Sequence, residues 1–291
     1  DCAIFTNLTQ DHLDYHKTME NYKLTKAKLF EVVSRIGSKQ NKSAVINLDD
    51  DASIEMLNHS ACKEITYSVD KNSDLQAENI SIRADGMNFT VGEMNFNLHI
   101  TGKFNIYNSL AAIGACLAEN IPAEKIITAL ENFKSVPGRF ERVFTDTDFT
   151  IIVDYAHTPD GVKNVLQTAR QITKNKIITV FGCGGDRDKT KRPIMGKIAA
   201  ELSDIVIVTS DNPRSENPEN ILRDIEVGIT NKTYESIVDR RTAIFRAVEL
   251  ANSGDVILIL GKGHENYQIL ADKTIHFDDR ETALEAVTHE K

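Results

Sequence analysis

"SDIVIVTSDNPRSENP", residues 203–218, decides how this chain is read. Its first half is a short run of Ile and Val with almost no polar break, the pattern of a strand covered on both faces rather than one. The second half stops that strand abruptly. Asn212, Pro213 and Pro218 force a turn, because proline restricts the residue before it and cannot extend a ladder. Arg214 sits inside this turn. It reads either as a surface charge or as a cation placed at the mouth of a site for a carboxylate.

The same strand-then-turn unit recurs through the second half of the chain. "FTIIVDYA" (149–156), "KIITVFG" (176–182), "DIVIVTS" (204–210), "ESIVD" (235–239) and "DVILILG" (255–261) read as strands. Helical stretches at 160–173, 193–203, 217–229 and 240–252 separate them. Apolar strands alternating with amphipathic helices predict a doubly wound, mainly parallel sheet of Rossmann type. Ligands of such sheets bind beyond the carboxyl ends of the strands. That is where the unusual polar residues accumulate: Asp154 and His157, then Gly182, Gly184, Gly185, Asp186 and Arg187. After "DIVIVTS" come Asn212 and Arg214, and after "DVILIL" come Gly261, Lys262, Gly263, His264 and Glu265. A solvated loop explains any one set; four sets on one edge point to a crevice. "GCGGDRDK" (182–189) is not GxxxxGK[ST], and no Walker loop occurs in these 291 residues. Its glycines serve a tight turn or the close approach of a ligand.

Pro137 and Gly138 in "SVPGRFER" (135–142) mark a break, so two domains are expected, 1–136 and 137–291. The first half mixes its patterns. "CAIFTNL" (2–8), "SAVINLDD" (43–50) and "EITYSV" (64–69) read as strands. "TMENYKLTKAKLFEVVS" (18–34) reads as a helix carrying Met19, Tyr22, Leu29 and Val33 at apolar positions. "ISIRADGMNFTVGEMNFNLHI" (80–100) alternates around two Gly-centred turns and predicts antiparallel hairpin. "NSLAAIGACLAE" (108–119) and "PAEKIITALENF" (122–133) read as helices. "NLTQDHLDYHKT" (7–18) brings His12, Asp14 and His16 to a strand end, with Lys26 following in the helix. Such a group either holds a divalent cation or caps the helix. Asn105 and Asn108, placed just before a helix, are read as caps or as nucleotide contacts.

Composition narrows the classes. The net charge of −9 argues against a nucleic-acid binder, though not against a small anionic ligand. Four scattered cysteines with no CxxC pair suit a reducing cytoplasm better than a disulfide framework or a zinc site. No apolar run approaches the roughly 20 residues of a membrane helix. A monomer that binds neither nucleic acid nor membrane is expected. The opening Asp1, already at the edge of a strand-like run, reads as part of a longer chain.

Taken in order, "TNLTQDHLDYH", "NYKLTKAKLF", "GKFNIYNSLAA", "PGRFE", "DYAHTPD", "FGCGGDRD", "DNPRSENP" and "GKGHE" resemble the Mur ligase family. Its members use ATP to join amino acids to the peptide stem of cell-wall precursors, and the nearest resemblance is to those that add the third residue. The family's uridine-nucleotide domain and its GKT/S loop have no counterpart here. The resemblance therefore implies a partial P-loop-type ATPase domain followed by a complete Rossmann-like C-terminal domain, which together should not turn over without the rest. It implies ATP and Mg2+ as cofactors, with His12 a metal ligand and Lys26 carbamylated to support a second metal; Lys28 is the neighbouring rival. Asn105, Arg139 and Asp154 become nucleotide contacts. His157 falls on the substrate side. The implied partners are a UDP-N-acetylmuramoyl dipeptide and meso-diaminopimelate.

The amino-acid choice returns to Arg214. Diaminopimelate differs from lysine by a second carboxylate, which a planar two-donor guanidinium suits. Asp211, Asn212, Pro213 and Arg214 would form the reading loop, with Arg187 nearby, Glu265 for the far ammonium, and Asn212 and the Gly261 backbone as neutral partners. A lysine-adding or folylpolyglutamate-type sibling, or a non-catalytic nucleotide-binding module, are the alternatives. Because ATP contacts are expected from both halves, closure about 135–139 is expected as well.

Overall fold

The computed structural model describes residues 1–36, 39–83, 86–230 and 232–289, with only the backbone at Asp14. Two compact units divide the chain, Asp1–Lys134 and Ser135–Lys291.

In the first unit β1 (Cys2–Phe5), β2 (Ser43–Asn47), β3 (Lys63–Ser68) and β4 (Leu75–Gln76) form a parallel sheet in that order. Helices α1 (Leu13–His16), α2 (Met19–Glu31) and α3 (Ser53–His59) lie between its strands in sequence, and a π-helical turn (Val32–Ile36) extends α2. Ala3, Phe5, Ala44 and Ile46 pack with Ala27 and Phe30 of α2 and Met56 of α3. The buried stripe of α2 is thus Ala27 and Phe30, whereas Leu29, expected on the apolar face, is 50% exposed. On the other side of the sheet Val45, Ile65 and Tyr67 meet Ile106, Leu110 and Ile113 of α4 (Lys103–Ala118). An antiparallel meander of β5 (Glu78–Arg83), β6 (Gly86–Val91) and β7 (Met94–Leu98) joins the same core, together with α5 (Ala123–Asn132). Of its two expected turns, the one at 84–85 falls outside the described residues.

The second unit is a three-layer sandwich. Its strands are β8 (Glu141–Val143), β9 (Thr150–Asp154), β10 (Ile177–Phe181), β11 (Ile205–Thr209), β12 (Tyr234–Ile237) and β13 (Val256–Leu260). Among the described residues their order is β12-β11-β10-β13-β9-β8, all parallel except the β8–β9 pair. The chain crosses from β9 to β10, runs out to β12, and returns to insert β13 between β10 and β9, which sets the crevice at the carboxyl ends.

Side-chain alternation explains the unbroken apolar runs. Ile152, Ile177, Phe181, Val206, Val208, Leu258 and Leu260 face α6 (Pro159–Ile172), α7 (Lys191–Leu202) and α8 (Pro218–Glu226). Their neighbours Ile151, Val153, Ile178, Val180, Ile207, Ile257 and Ile259 face α9 (Arg240–Leu250) and α10 (Asp279–His289). The central strands β10 and β13 are buried at every position, so apolar residues fill them with only Thr179 as a polar break, whereas the edge strands β8 and β12 keep Arg142 and Ser236 exposed. A hairpin, β14 (Tyr267–Ile269) with β15 (Thr274–His276), follows β13. No described helix is long and apolar enough to cross a membrane.

Candidate amino-acid site at the strand ends

The crevice of the second unit is built from three loops that hydrogen-bond to one another. Gly182 leaves β10 so close to β11 that a Cβ there would lie 2.2 Å from the Thr209 carbonyl. Gly185 presses likewise on the Pro213 carbonyl, and its N–H donates to the carbonyl of Asn212 at 2.9 Å. Only glycine permits this approach, which welds the loop after β10 to the loop after β11. Behind it the Arg192 guanidinium, fully buried, pairs with Glu216 and Asp224 at 2.8 Å each. The pairing with Arg192 holds the Glu216 carboxyl well below its ordinary value, at about 2.

The loop after β11 is equally committed. Asp211, Asn212 and Pro213 are buried. Asp211 accepts the N–H of Asn212 at 2.6 Å, and its other carboxylate oxygen abuts Gly261. The Asn212 amide donates to Glu265 at 2.8 Å, while its oxygen accepts from Lys262 at 3.1 Å and from the Ile269 N–H at 2.9 Å. Asn212, expected as a neutral partner for the ligand, is therefore also the knot between loops.

Arg214 takes the left-handed conformation, φ 52, which a long side chain rarely adopts. Its N–H donates to the Ile269 carbonyl at 3.1 Å, and its guanidinium donates to the Gly185 carbonyl at 2.7 Å. Among the described residues no carboxylate lies within ion-pairing distance of that half-buried guanidinium. Arg187 is exposed, donates to the Asp186 carbonyl at 3.0 Å, and, like Arg214, lies beside Gly184.

After β13, Gly261 (φ 115) and Gly263 (φ 55) carry the backbone through conformations that only glycine adopts freely. Between them Lys262, 0% exposed, donates to Glu265 at 3.3 Å as well as to Asn212, and its ammonium lies 5.5 Å from the Tyr267 ring centre. The sequence reading placed Lys262 at this strand end but gave it no role. Its burial depends on Asn212, Glu265 and Tyr267, and no local signal announces that.

Beside the crevice, Asp154 is buried with one oxygen on the Phe140 N–H (2.6 Å) and the other on the Ala156 N–H (2.7 Å). Burial pushes its carboxyl above the ordinary range, opposed by those N–H groups and by Arg139. The Arg139 guanidinium stacks 4.7 Å from the centre of the Tyr155 ring, which also meets His157 (4.7 Å) and His264 (5.4 Å). His157 shares its Nδ1 with the Tyr155 carbonyl at 2.9 Å. Segment 135–139, expected as a hinge, is tied into this unit: Gly138 accepts the Tyr155 N–H at 2.8 Å and donates to Glu141 at 2.6 Å.

The first unit's candidates are organised more loosely. His12, 64% exposed at its side chain and left-handed at φ 54, lies 6.2 Å from the Tyr22 ring centre. His16 stacks on Tyr22 at 4.6 Å, and the half-buried Lys26 holds its ammonium 5.0 Å from the same ring. The Asp14 side chain is outside the described residues. Helix α4 begins at Lys103, so Asn105 and Asn108 stand within it and do not cap it; Asn105 donates to the Thr101 carbonyl and accepts from Asn108. Among the described residues no three His, Cys, Asp or Glu side chains converge on a cation position. Mg2+ takes six oxygen-rich ligands. His12, and Lys26 once carbamylated, supply two at most, so this fit is partial.

Fold and crevice together define an α/β protein of the kind that binds a small charged ligand beyond its parallel strands. Comparison with known proteins narrows this. Residues 1–116 match the Mur ligase middle domain, and residues 138–263 the Mur ligase glutamate ligase domain. Over 291 residues the chain is 52% identical to the UDP-N-acetylmuramoyl-L-alanyl-D-glutamate–2,6-diaminopimelate ligase of Clostridium botulinum, covering 98% of this chain and 59% of that protein. The Bacillus cereus protein of the same name is 48% identical over 296 residues, 99% of this chain and 60% of its own length. A solved structure titled as a UDP-N-acetylmuramoyl-L-alanyl-D-glutamate–2,6-diaminopimelate ligase matches at a TM-score of 0.61 and 36% identity, over 100% of this chain and 60% of that one. The chain belongs to the Mur ligase family. It spans about 60% of the length of the curated relatives it matches.

Proposed function

We propose that these residues are the middle and C-terminal parts of an ATP-dependent ligase that adds meso-diaminopimelate to UDP-N-acetylmuramoyl-L-alanyl-D-glutamate in peptidoglycan synthesis. The observation that carries the reading is Arg214. Among the described residues its guanidinium hydrogen-bonds only to the Gly185 carbonyl, in a strained backbone conformation, next to a crevice that already holds Glu265. A half-buried cation with no carboxylate at ion-pairing distance among the described residues, and Asp186 only at longer range, is suited to a ligand's carboxylate. Glu265 offers the complementary anion for an ammonium, and Lys262 and Asn212 fix its orientation.

The chemistry divides between the units. The dipeptide carboxylate attacks the γ-phosphate of ATP, giving an acyl phosphate and ADP. The amine of diaminopimelate then attacks the acyl carbon, phosphate leaves, and the amide forms. Asn105, Arg139 and Asp154 are assigned to the nucleotide, although both Asp154 oxygens already accept backbone N–H groups. His157, beside Tyr155, is assigned to the acceptor side. A divalent cation bound with ATP would offset phosphoryl charge, and His12 and carbamylated Lys26 are what this chain would contribute to its shell. The crevice supplies position: a guanidinium and a carboxylate that fix both ends of a long amino acid leave its reacting amine little freedom.

The test is Arg214→Ala in the full-length protein. Loss of the guanidinium should raise the KM for diaminopimelate by about a hundredfold, the scale of an unpaired buried charge, while the KM for ATP changes less than about threefold. Equal losses on both substrates refute the assignment.

A further inference from the structure

Arg240 and Asp279 form a fully buried ion pair outside the crevice, with both side chains at 0% exposure. Arg240 is the first residue of α9 and Asp279 the first of α10. The guanidinium donates through Nε to Asp279 at 2.8 Å and through Nη2 to its other oxygen at 2.7 Å. That fork leaves two donors facing the sheet. Nη2 also reaches the carbonyl of Leu260 at 3.0 Å, and Nη1 the carbonyl of Ser210 at 3.4 Å.

Leu260 is the last residue of β13, and Ser210 the first after β11. These strands are not neighbours: β10 runs between them. One rigid, planar group therefore spans the end of β10 and ties together the two backbones that continue into Gly261–Lys262 and Asp211–Asn212. A lysine ammonium is a single point and cannot hold both carbonyls and both carboxylate oxygens. A buried ion pair is a poor device for stability alone, since apolar residues of similar volume often serve as well.

We propose that Arg240 and Asp279 are a positioning pair that sets the separation of the loops after β11 and β13, and with it the distance between Arg214 and Glu265. Its specificity consequence rests on the diaminopimelate reading above; its structural consequence does not. The pair touches no substrate and acts through the Leu260 and Ser210 carbonyls.

Two variants of the full-length protein test this. Arg240→Met/Asp279→Leu removes both charges together and avoids leaving either one buried alone. Arg240→Lys keeps a cation beside Asp279 but cannot bridge the strands. Both should raise the KM for diaminopimelate about tenfold or more, as expected of an ångström-scale misplacement, with the KM for ATP changed less than about twofold. Hydrogen exchange is read alongside. The Gly261, Arg214 and Ile269 amides, which bond to Asp154, Ile269 and Asn212, should exchange about tenfold faster, while the amides of β10 keep wild-type protection. Wild-type loop exchange in either variant overturns the proposal, and so does equal acceleration of loops and β10, which marks general loosening. If the unaltered protein binds no diaminopimelate, the functional reading fails and the exchange data alone decide the positioning role.

Discussion

His12 and Lys262 are both basic residues in loops that the sequence marks for chemistry, yet their surroundings are opposite. His12 is 64% exposed at its side chain and meets Tyr22 only edge-on, 6.2 Å between ring centres. Lys262 is 0% exposed and bonded to two side chains drawn from two loops. The crevice of the second unit is organised by its own residues. The His12–Tyr22–Lys26 group is not: its members share one aromatic ring and no hydrogen bond among themselves is described. Preorganised groups lower a barrier without rearrangement, so the second unit is suited to select and hold, and the first to be completed by what binds there.

Breaking the less organised side should give the largest kinetic effect. Lys26→Ala in the full-length protein removes the nitrogen that would carry a carbamate, and kcat should fall about a thousandfold, as for a lost phosphoryl-stabilising charge. Diaminopimelate affinity should be unchanged, and calorimetry beside steady-state rates checks both. Loss of affinity as well would erase the division of labour.

The next effect sharpens the other side. Lys262→Met leaves Asn212 and Glu265 without their shared cation, and should destabilise the protein by about 2 kcal/mol, visible as a lower denaturant midpoint. It should also weaken diaminopimelate binding, while nucleotide affinity stays at the wild-type value. Unchanged stability would mean that the crevice does not depend on its buried lysine.

The smallest effect concerns acid. Arg192 depresses the Glu216 carboxyl from its ordinary 4.5 to about 2. A depressed carboxyl adds stability that is fully present above pH 4.5 and is lost as the pH falls through about 2. In Glu216→Gln about 1 kcal/mol of that loss should be missing, discounted for solvent screening, in denaturant titrations across this window. Identical pH slopes for the two proteins would remove Glu216 as a pH-dependent tie between the loops.

Much of the second unit was legible because its strands are covered on both faces, which turns burial into an unbroken apolar run such as "VILIL" (256–260). What stayed hidden depends on distant partners. Lys262 stands between two glycines, the signature of an exposed turn, and is buried only because Asn212 and Tyr267 close over it. Asp279 opens α10, a helix that escaped the reading of the sequence, and a carboxylate there looks like a solvent-facing cap until Arg240 is found beside it. In the first unit helical spacing nominated Leu29, but α2 turns Ala27 and Phe30 to the sheet. Asn105 and Asn108 were expected ahead of their helix, which starts earlier because Gly102, at φ 101, opens it without a side-chain cap.

Arg214 as reader of a distal carboxylate is the centre of all this, and calorimetric titration of the full-length protein with meso-diaminopimelate and lysine in turn tests it most directly. Diaminopimelate should bind at least about a hundredfold more tightly, because lysine would leave the guanidinium unpaired. Equal affinity for the two amino acids would contradict it.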